Sequence, residues 1–190
     1  MKKNLIISVL MTIVTTILLG IVYPLVVTGI AQMIFPKKAN GQLITQNGRL
    51  IGSSVIGQPF TGSTYFHSRP SAAGTGYDAA SSGGTNLGPA NKVLISRVEH
   101  DTASLHAENP SALVPVDMVT TSASGLDPHI SIAAAEFQIP RVARARGMSE
   151  SQLQRLVDAH TEYRQFGFLG EPRVNVLELN LALDAVSPRN

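Results

Sequence analysis

The first 36 residues contain one long apolar run. No Asp, Glu, Lys or Arg occurs between Asn4 and Pro36, and most of the segment is Ile, Leu, Val, Met and Thr. About 20 apolar residues cross the hydrocarbon core of a bilayer, whereas the apolar region of a cleaved signal peptide has about 7–15. Gly29-Ile-Ala31 resembles a cleavage site, so a signal peptide is the alternative. The length favours a retained transmembrane helix over residues 5–35, preceded by a short cytoplasmic tail (1–4) and followed by a linker (36–41).

Small or polar side chains recur at every fourth position of this helix. They are Ser8, Thr12, Thr16, Gly20, Pro24, Thr28 and Gln32. Small residues at this spacing let membrane helices approach closely, and hydroxyl groups can hydrogen-bond across the contact. We therefore predict a helix that packs on other membrane helices, with a kink at Pro24, whose ring nitrogen has no proton for the carbonyl of Gly20. The alternative is a lipid-facing anchor whose hydroxyl groups bond to their own backbone.

From residue 42 onward, short apolar runs alternate with turn residues. This pattern predicts a single α+β domain over residues 42–190, with a small β-sheet and about four helices. Two β-prone runs flank Asn47-Gly48, which predicts a hairpin over residues 42–56. Residues 57–91 are rich in Gly, Ser, Pro and Asn but contain four aromatic residues, so we expect an ordered loop.

The helix and strand signals of the domain are local. We expect a helix from near Pro89 to Glu108 with Val93, Leu94, Val98 and Leu105 inward, followed by a strand near 114–120. A second helix over 131–147 is expected, with a break or fresh start at Pro140. A third helix opens with the Ser149–Gln152 capping box and buries Leu153, Leu156 and Val157, and a last helix over 176–186, capped by Asn175, has Leu177, Leu181 and Val186 inward.

The charges of the two regions differ. The chain has 15 Lys and Arg against 13 Asp and Glu, a formal net charge of +2. Four lysines (Lys2, Lys3, Lys37 and Lys38) bracket the apolar run, which leaves the soluble region slightly acidic. No basic stripe marks a nucleic-acid footprint, so we expect no nucleic-acid partner. Because the flanking lysines balance, we base the expected orientation, N-terminus inside and domain outside, on the short tail before the helix.

No catalytic or metal-binding motif stands out. Gly83 and Gly88 have the outer spacing of a Walker A loop, but Pro89 and Ala90 replace its Lys and Ser/Thr. No HExxH, no G-x-S-x-G and no cysteine occur, and no two histidines have the spacing of a helical ligand pair. We therefore predict no catalytic and no metal-binding residues. A phosphate loop, a hydrolase and a metal site stay open as alternatives, the last with the candidate ligands His67, His129, His160, Asp127 and Glu162.

The segment 160–180, HTEYRQFGFLGEPRVNVLELN, mixes charged and apolar residues. Gly167, Gly170 and Pro172 restrict its backbone, and arginine beside aromatic rings is typical of protein-interface hot spots. We interpret the segment as a rigid, ion-paired turn that holds the fold and contacts a partner. Replacement of Arg164 or Arg173 by Ala is expected to damage folding or assembly.

Six strings, in this order, resemble one known family. They are YPLVVTGIAQ (23–32), GQPF (57–60), YFHSRPSAAGTGYDAASSGGTNLGP (65–89), SASGLDPHIS (122–131), QIPRVARARG (138–147) and HTEYRQFGFLGEPRVNVLELN (160–180). Together they resemble the C subunit of the Kdp-type potassium-transporting P-type ATPases from end to end. The resemblance implies a non-catalytic subunit of a high-affinity potassium uptake complex in the bacterial cytoplasmic membrane.

The resemblance also implies the partners and their cofactors. A channel-like subunit conducts K⁺, a P-type subunit hydrolyses ATP with Mg, and this subunit binds no cofactor tightly. It is expected to act as a catalytic chaperone that raises the ATP affinity of the hydrolytic subunit, with its soluble domain outside, near the ion entrance. A domain outside cannot contact cytoplasmic ATP, so we expect assembly to be its main role and any effect on ATP to pass through the membrane helices. The alternative is a membrane-anchored extracytoplasmic hydrolase or binding protein that acts alone.

Twelve polar side chains are the candidates for structural or partner contacts. They are His67, Arg69, Asp78, Asn86, Asp127, His129, His160, Glu162, Arg164, Glu171, Arg173 and Asn175. Four of them are acidic and are expected to raise the local K⁺ concentration near the ion entrance by focusing the electric field. These four are Asp78, Asp127, Glu162 and Glu171.

Overall fold

The computed structural model describes residues 1–187 and divides the chain into two compact units, residues 1–51 and the part from Gly52 onward. The fold is α+β, with an N-terminal apolar helix, small sheets and four further long helices, as predicted. The helices are α1 (Lys2–Ile17), α2 (Tyr23–Ile34), α3 (Pro36–Ala39), α4 (Lys92–Glu108), α5 (Ile132–Arg146), α6 (Glu150–Ala159) and α7 (Val176–Val186), and the strands are β1 (Leu43–Gln46), β2 (Arg49–Ser53), β3 (His129–Ile130), β4 (Thr161–Glu162) and β5 (Arg173–Asn175). The domain boundary at residue 42 stays a prediction.

The apolar helix of the first unit runs from Lys2 to Ile34 and is long and apolar enough to cross a membrane. A π-helical turn at Leu18–Val22 joins α1 to α2, and there the N–H of Tyr23 donates to the carbonyl of Leu18. Pro24 offers no N–H to the carbonyl of Gly20, so the hydrogen-bond pattern changes register at this point. The π turn therefore lies where the sequence predicts a kink.

Paired amides fasten the end of the apolar helix to the turn that follows. Gln32 Nε2 donates to Asn40 Oδ1 at 3.1 Å, and Asn40 Nδ2 donates to Gln32 Oε1 at 3.2 Å. Strands β1 and β2 then form the predicted hairpin. Its turn residues Asn47 and Gly48 have φ of 51° and 76°, the left-handed values that a tight hairpin turn requires.

The second unit is organised by a three-stranded antiparallel sheet and three helices. β5 is the central strand, with His129 of β3 opposite Asn175 and Glu162 of β4 opposite Arg173. Helices α5, α6 and α7 supply most of the buried apolar side chains. Core residues that are less than 5% exposed include Phe66, Ile139, Val142, Leu153, Val157, Val174, Leu179 and Leu183.

Two buried amides hold the turn-rich segment 57–91 on this core. Asn180 of α7 accepts from the N–H of Phe66 and donates to its carbonyl, both at 2.9 Å. Gln138 of α5 accepts from the N–H of His67 at 2.7 Å and donates to its carbonyl at 3.2 Å. Each side-chain amide hydrogen-bonds to the N–H and the carbonyl of one residue, as a neighbouring strand would. The segment is therefore ordered without secondary structure of its own.

Two expectations about local structure are wrong. Residues 114–120 form no strand; a 3₁₀ turn occupies Val116–Met118 and buries Met118. Pro140 does not interrupt α5. Its neighbours Ile139 and Val142 are buried in the core, and this packing carries the helix past the missing hydrogen bond.

The inward faces of two helices are also predicted incorrectly in part. α4 begins at Lys92, after the cap Asn91, and none of its residues is buried; Val93 is 68% exposed. α7 has the predicted bounds and buries Leu177, but Val186 is 62% exposed. Helical periodicity identifies an apolar face, whereas the structure covers that face only where another element lies on it.

Candidate docking surface

The most exposed apolar cluster of the second unit lies between β4 and β5. We call Tyr163, Phe166, Phe168 and Leu169 the aromatic tip. Their exposed fractions are 72%, 87%, 71% and 48%, in that order. Large aromatic side chains are normally buried because each removes much apolar surface from water. A cluster left in water on one turn therefore marks a surface for contact with another molecule.

The backbone of the tip is fixed in an uncommon conformation. Gln165 and Leu169 form a β-bridge, in which each backbone N–H donates to the other residue's carbonyl at 2.9 Å. Phe166 has φ of 53° and Gly167 has φ of 80°. A bulky residue in the left-handed region carries strain of about 1–3 kcal/mol, which typically persists at functional sites. The predicted rigid turn is therefore present and holds Phe166 outward.

Two ion pairs form a collar at the base of the tip. Arg164 Nη2 lies 2.6 Å from Glu171 Oε2, and Arg173 Nη2 lies 2.8 Å from Glu162 Oε2. All four side chains are at least 45% exposed. Exposed pairs of this kind contribute about 0–1 kcal/mol to stability. The collar orients the turn and leaves it close to electrically neutral.

The collar continues into a chain of charged groups across the sheet. His129 lies with Nδ1 3.4 Å from Asp127 Oδ1 and with Nε2 3.9 Å from Glu162 Oε1. Asp127 also pairs with Arg69 Nη1 at 3.1 Å. Burial raises the pKa of Asp127, but hydrogen bonds from His129 and the charge of Arg69 outweigh burial and leave that pKa below its usual value. The Asp127 carboxylate is thus held in its charged form.

A groove of about 530 Å³ runs beside the collar and the charged chain. Pro115, Val116 and Pro172 give it an apolar rim, while Arg69, His129 and Arg173 are among its polar lining residues. Asp117 lies in the same groove and accepts from the N–H and the hydroxyl of Ser131 at 2.8 and 3.0 Å. The structure therefore brings together seven of the twelve predicted contact residues around the groove and collar. These seven are Arg69, Asp127, His129, Glu162, Arg164, Glu171 and Arg173.

The other predicted contact residues lie outside the groove lining and the collar. His67 Nε2 lies 3.0 Å from the carbonyl of Gly62, and His160 Nδ1 lies 2.9 Å from the carbonyl of Leu156. Asp78 Oδ1 accepts from the N–H of Ala80, and Asn86 is an exposed residue with φ of 54°. Asn175 caps α7, as predicted, through its bond to the N–H of Glu178. A role of these residues in partner contact stays a prediction.

The apolar helix gives mixed evidence on the four-residue stripe. The hydroxyls of Ser8 and Thr12 donate to the carbonyls of Leu5 and Ser8, both at 2.9 Å. Those two bonds are of the kind that a lipid-facing anchor makes. A methyl group at Gly20 would lie 3.9 Å from Thr16 Cγ2, so the helix surface there is open to close approach. Packing through Ser8, Thr12, Thr16, Gly20, Pro24 and Thr28 stays a prediction.

Within residues 1–187, no three His, Asp or Glu side chains are grouped as metal ligands. The chain of Asp127, His129 and Glu162 is arranged for pairing with the guanidinium groups of Arg69 and Arg173, which already occupy the outer carboxylate oxygens. The arrangement can fix the sheet and present charge. It contains no nucleophile hydrogen-bonded to a base.

Several residues that hold the turn-rich segment on the core were missed by sequence reasoning. Gln138 and Asn180 are buried amides, and Arg141 and Arg146 are anchored by ion pairs with Glu108 and Asp184, both at 2.7 Å. QIPRVARARG contains three of these four residues, but no local pattern distinguishes them from a solvent-exposed helix face. Their partners are distant in the sequence, so only the tertiary structure identifies them.

Comparison with known proteins shows similarity to one family along nearly the whole chain. The family model "K+-transporting ATPase, c chain" matches residues 5–185. The potassium-transporting ATPase KdpC subunit of Koribacter versatilis is 68% identical over 188 residues, which cover 99% of this chain and 97% of its own length. The chain belongs to the KdpC family.

Other KdpC subunits show the same end-to-end similarity. That of Geobacter sulfurreducens is 58% identical over 183 residues, 95% of this chain and 97% of its own length. That of Rhodopseudomonas palustris strain BisB18 is 57% identical over 190 residues, 94% of this chain and 96% of its own length. The resemblance identified from the sequence is therefore confirmed: the chain is a subunit of a K⁺-transporting ATPase, and its apolar helix is consistent with membrane anchoring.

Proposed function

We propose that this KdpC subunit assembles and stabilises a high-affinity potassium uptake complex and performs no chemical step itself. The observation that carries the proposal is the aromatic tip, where Phe166 is 87% exposed and held in a left-handed conformation. Exposure and strain both disfavour the isolated subunit, and contact with a partner would offset both. The family match supplies the context, because the relatives are named as subunits of a potassium-transporting ATPase.

The proposed partners are two larger subunits of the same complex. One is channel-like and conducts K⁺, and the other is a P-type subunit that uses ATP with Mg. The proposed location is the bacterial cytoplasmic membrane, with the N-terminus inside and the soluble domain outside, near the ion entrance. In this arrangement the subunit itself holds neither ATP nor K⁺ tightly.

The proposed catalytic-chaperone effect, a higher ATP affinity of the hydrolytic subunit, would have to pass through the membrane. A soluble domain outside lies across the bilayer from cytoplasmic nucleotide. Coupling then requires that the apolar helix contact its neighbours differently in two states of the pump. The helix offers two features for such contacts: the small-residue surface around Gly20 and the π turn at Leu18–Val22.

Affinity capture of the full-length subunit from membranes of potassium-limited cells tests the assembly role. Recovery of a large polytopic protein together with a P-type ATPase is expected. Joint replacement of Thr12, Thr16 and Gly20 by Leu should reduce that recovery, because bulky side chains prevent close helix approach. Recovery of a lone monomer with hydrolytic activity would contradict the proposal.

The same capture experiment tests the tip. Joint replacement of Phe166 and Phe168 by Ser should reduce recovery of the partners without unfolding the subunit, because both side chains are at least 71% exposed. Val93→Ser is the matched control, since Val93 is an equally exposed apolar residue (68%) on α4, outside the tip and groove. Equal recovery with the tip variant and with the control would remove the tip from the assembly surface.

A further inference from the structure

We propose that the aromatic tip and the adjacent groove form one interface whose occupant is a protein: the tip enters an apolar recess on a partner subunit, and a segment of that subunit lies in the groove. This inference rests on the assembly function proposed above and specifies the chemistry of the contact. A lipid surface is the competing occupant, because the chain carries its own membrane helix.

The area of the tip falls short of a whole interface. Its four side chains are between 48% and 87% exposed. At about 150–250 Å² for a large aromatic side chain, the tip offers about 500 Å². A stable protein interface buries about 800 Å² on each partner. The groove follows the tip through Glu171, Pro172 and Arg173 and supplies part of the remaining area.

The charges of the collar favour a protein over a bilayer. Loops that bind lipid usually present unpaired Lys or Arg to anionic headgroups. Here Arg164 and Arg173 are engaged by Glu171 and Glu162, at 2.6 and 2.8 Å. Glu171 is 79% exposed beside the apolar side chains, so insertion into a bilayer would bring a carboxylate to the phosphate layer. Paired arginines beside aromatic rings suit the rim of a protein interface.

The rigidity of the tip points to the same occupant. The β-bridge between Gln165 and Leu169 and the left-handed Phe166 fix where the rings project. A fluid bilayer adapts to any projecting shape, so a fixed geometry gives no advantage there. A shaped recess binds more tightly when the inserted group is already in its bound conformation, because less entropy is lost on association.

The groove has the composition of a protein-binding cleft. Pro115, Val116 and Pro172 contribute apolar contact area, and Val116 is 72% exposed. The groove also has polar lining residues, among them Asp117, whose carboxylate forms no ion pair within residues 1–187. An extended segment needs both apolar contact and hydrogen-bonding groups along its length. The groove offers both kinds of contact, whereas an apolar lipid chain would use only the first.

A single fluorinated tryptophan can distinguish the two occupants. The chain contains no Trp. Phe166→Trp, produced with 5-fluorotryptophan and mixed with unlabelled partner subunits, therefore gives one ¹⁹F resonance from the tip. The full-length subunit is placed in nanodiscs, alone and in the complex. A soluble gadolinium chelate reports exposure to water, and a nitroxide on the lipid reports exposure to the bilayer.

For the subunit alone, gadolinium should broaden the resonance and the lipid nitroxide should not. In the complex the resonance should shift and lose the gadolinium broadening, again without broadening by the lipid nitroxide. Val93→Trp is the matched control and should stay accessible to gadolinium in both samples, because Val93 is 68% exposed outside the proposed interface. Phe168→Trp repeats the measurement if the larger ring at position 166 does not fit the recess.

Each other outcome would reject the protein occupant, the tip as a contact, or the assembly function. Broadening by the lipid nitroxide would assign the tip to the bilayer and reject the protein occupant. Continued gadolinium broadening in an intact complex, at both positions 166 and 168, would reject the tip as a contact while the assembly function stands. Failure of the unmodified subunit to join the partners would reject the assembly function itself.

Discussion

Replacement of Arg146 by Ala should destabilise the soluble domain more than replacement of any arginine at the collar. The Arg146 side chain is only 4% exposed and pairs with Asp184 at 2.7 Å. It also donates to the carbonyls of Thr64 and Ser187, at 2.8 and 2.6 Å, and lies 4.9 Å from the centre of the Tyr65 ring. Truncation removes this packing, leaves two carbonyls without this donor, and leaves the Asp184 carboxylate with the hydrogen bond from the Tyr65 hydroxyl but no cation.

The size of the loss follows from this burial. Removal of one partner from a buried ion pair destabilises a protein by about 3–5 kcal/mol. Asp184 is 36% exposed, so we expect the lower end, about 3 kcal/mol. A domain with a total free energy of unfolding of about 5–15 kcal/mol would lose a substantial part of it. With a urea dependence of about 2 kcal/mol per molar, the unfolding midpoint should fall by about 1.5 M.

Urea unfolding of the full-length subunit in detergent, followed by far-ultraviolet circular dichroism, measures this change. Arg164→Ala is the control, because its pair with Glu171 is exposed at both ends and should contribute less than about 1 kcal/mol. The sequence alone predicted that loss of a collar arginine damages folding or assembly. The structure predicts that this loss affects assembly and leaves folding nearly intact. Equal midpoints for Arg146→Ala and Arg164→Ala would refute the reasoning.

Three further predictions concern pH, backbone conformation and charge. Burial, with the nearby Arg141, holds the pKa of His67 below its ordinary value of 6.5. The free energy of unfolding should therefore be highest above pH 6.5 and decrease as pH falls below it, because the unfolded chain binds the proton more readily. Thermal unfolding at several pH values should show a smaller decrease for His67→Gln; an unchanged pH dependence contradicts the assignment. Gly125→Ala should destabilise the domain by more than about 1 kcal/mol, since φ is +67° and the new methyl carbon would lie 2.6 Å from the carbonyl oxygen of Gly83. A melting temperature equal to the wild-type value would contradict this prediction and show that the loop can relax. Asp78 is the one acidic candidate without an ion pair in the described part of the chain. If its charge lies about 10 Å from the ion path, Asp78→Asn should raise the K⁺ concentration for half-maximal transport by about twofold. An unchanged K⁺ concentration for half-maximal transport would reject field focusing by this residue.

Local signals predicted the elements that depend on local physics. The uncharged run predicted the apolar helix, and Asn47-Gly48 predicted the hairpin. Ser149 with Gln152 predicted the capping box, whose two reciprocal hydrogen bonds are present. Each of these depends on residues within a few positions of one another. The fold class followed from these elements together.

The sequence could not predict which polar residues support the domain. Gln138 and Asn180 are separated by 71 and 114 positions from the backbone groups they bind, so no spacing rule relates them. The strand expected at 114–120 fails for the same reason: Asp117 is bound to Ser131, a distant helix cap, and this contact favours the 3₁₀ turn. Val93 and Val186 were counted as inward by periodicity alone, although the structure leaves them 68% and 62% exposed.

The separation between the buried contacts and the tip has a consequence for how the subunit tolerates change. Phe66, Gln138 and Asn180 are at most 2% exposed, whereas the side chains of the tip are 48–87% exposed. Substitutions of the first kind should therefore lower the free energy of unfolding, and substitutions of the second kind should lower affinity for the partner at nearly constant stability. A strained, exposed turn can persist only on a domain whose stability comes from elsewhere. The buried amides of Gln138 and Asn180 and the buried side chain of Arg146 contribute to that stability.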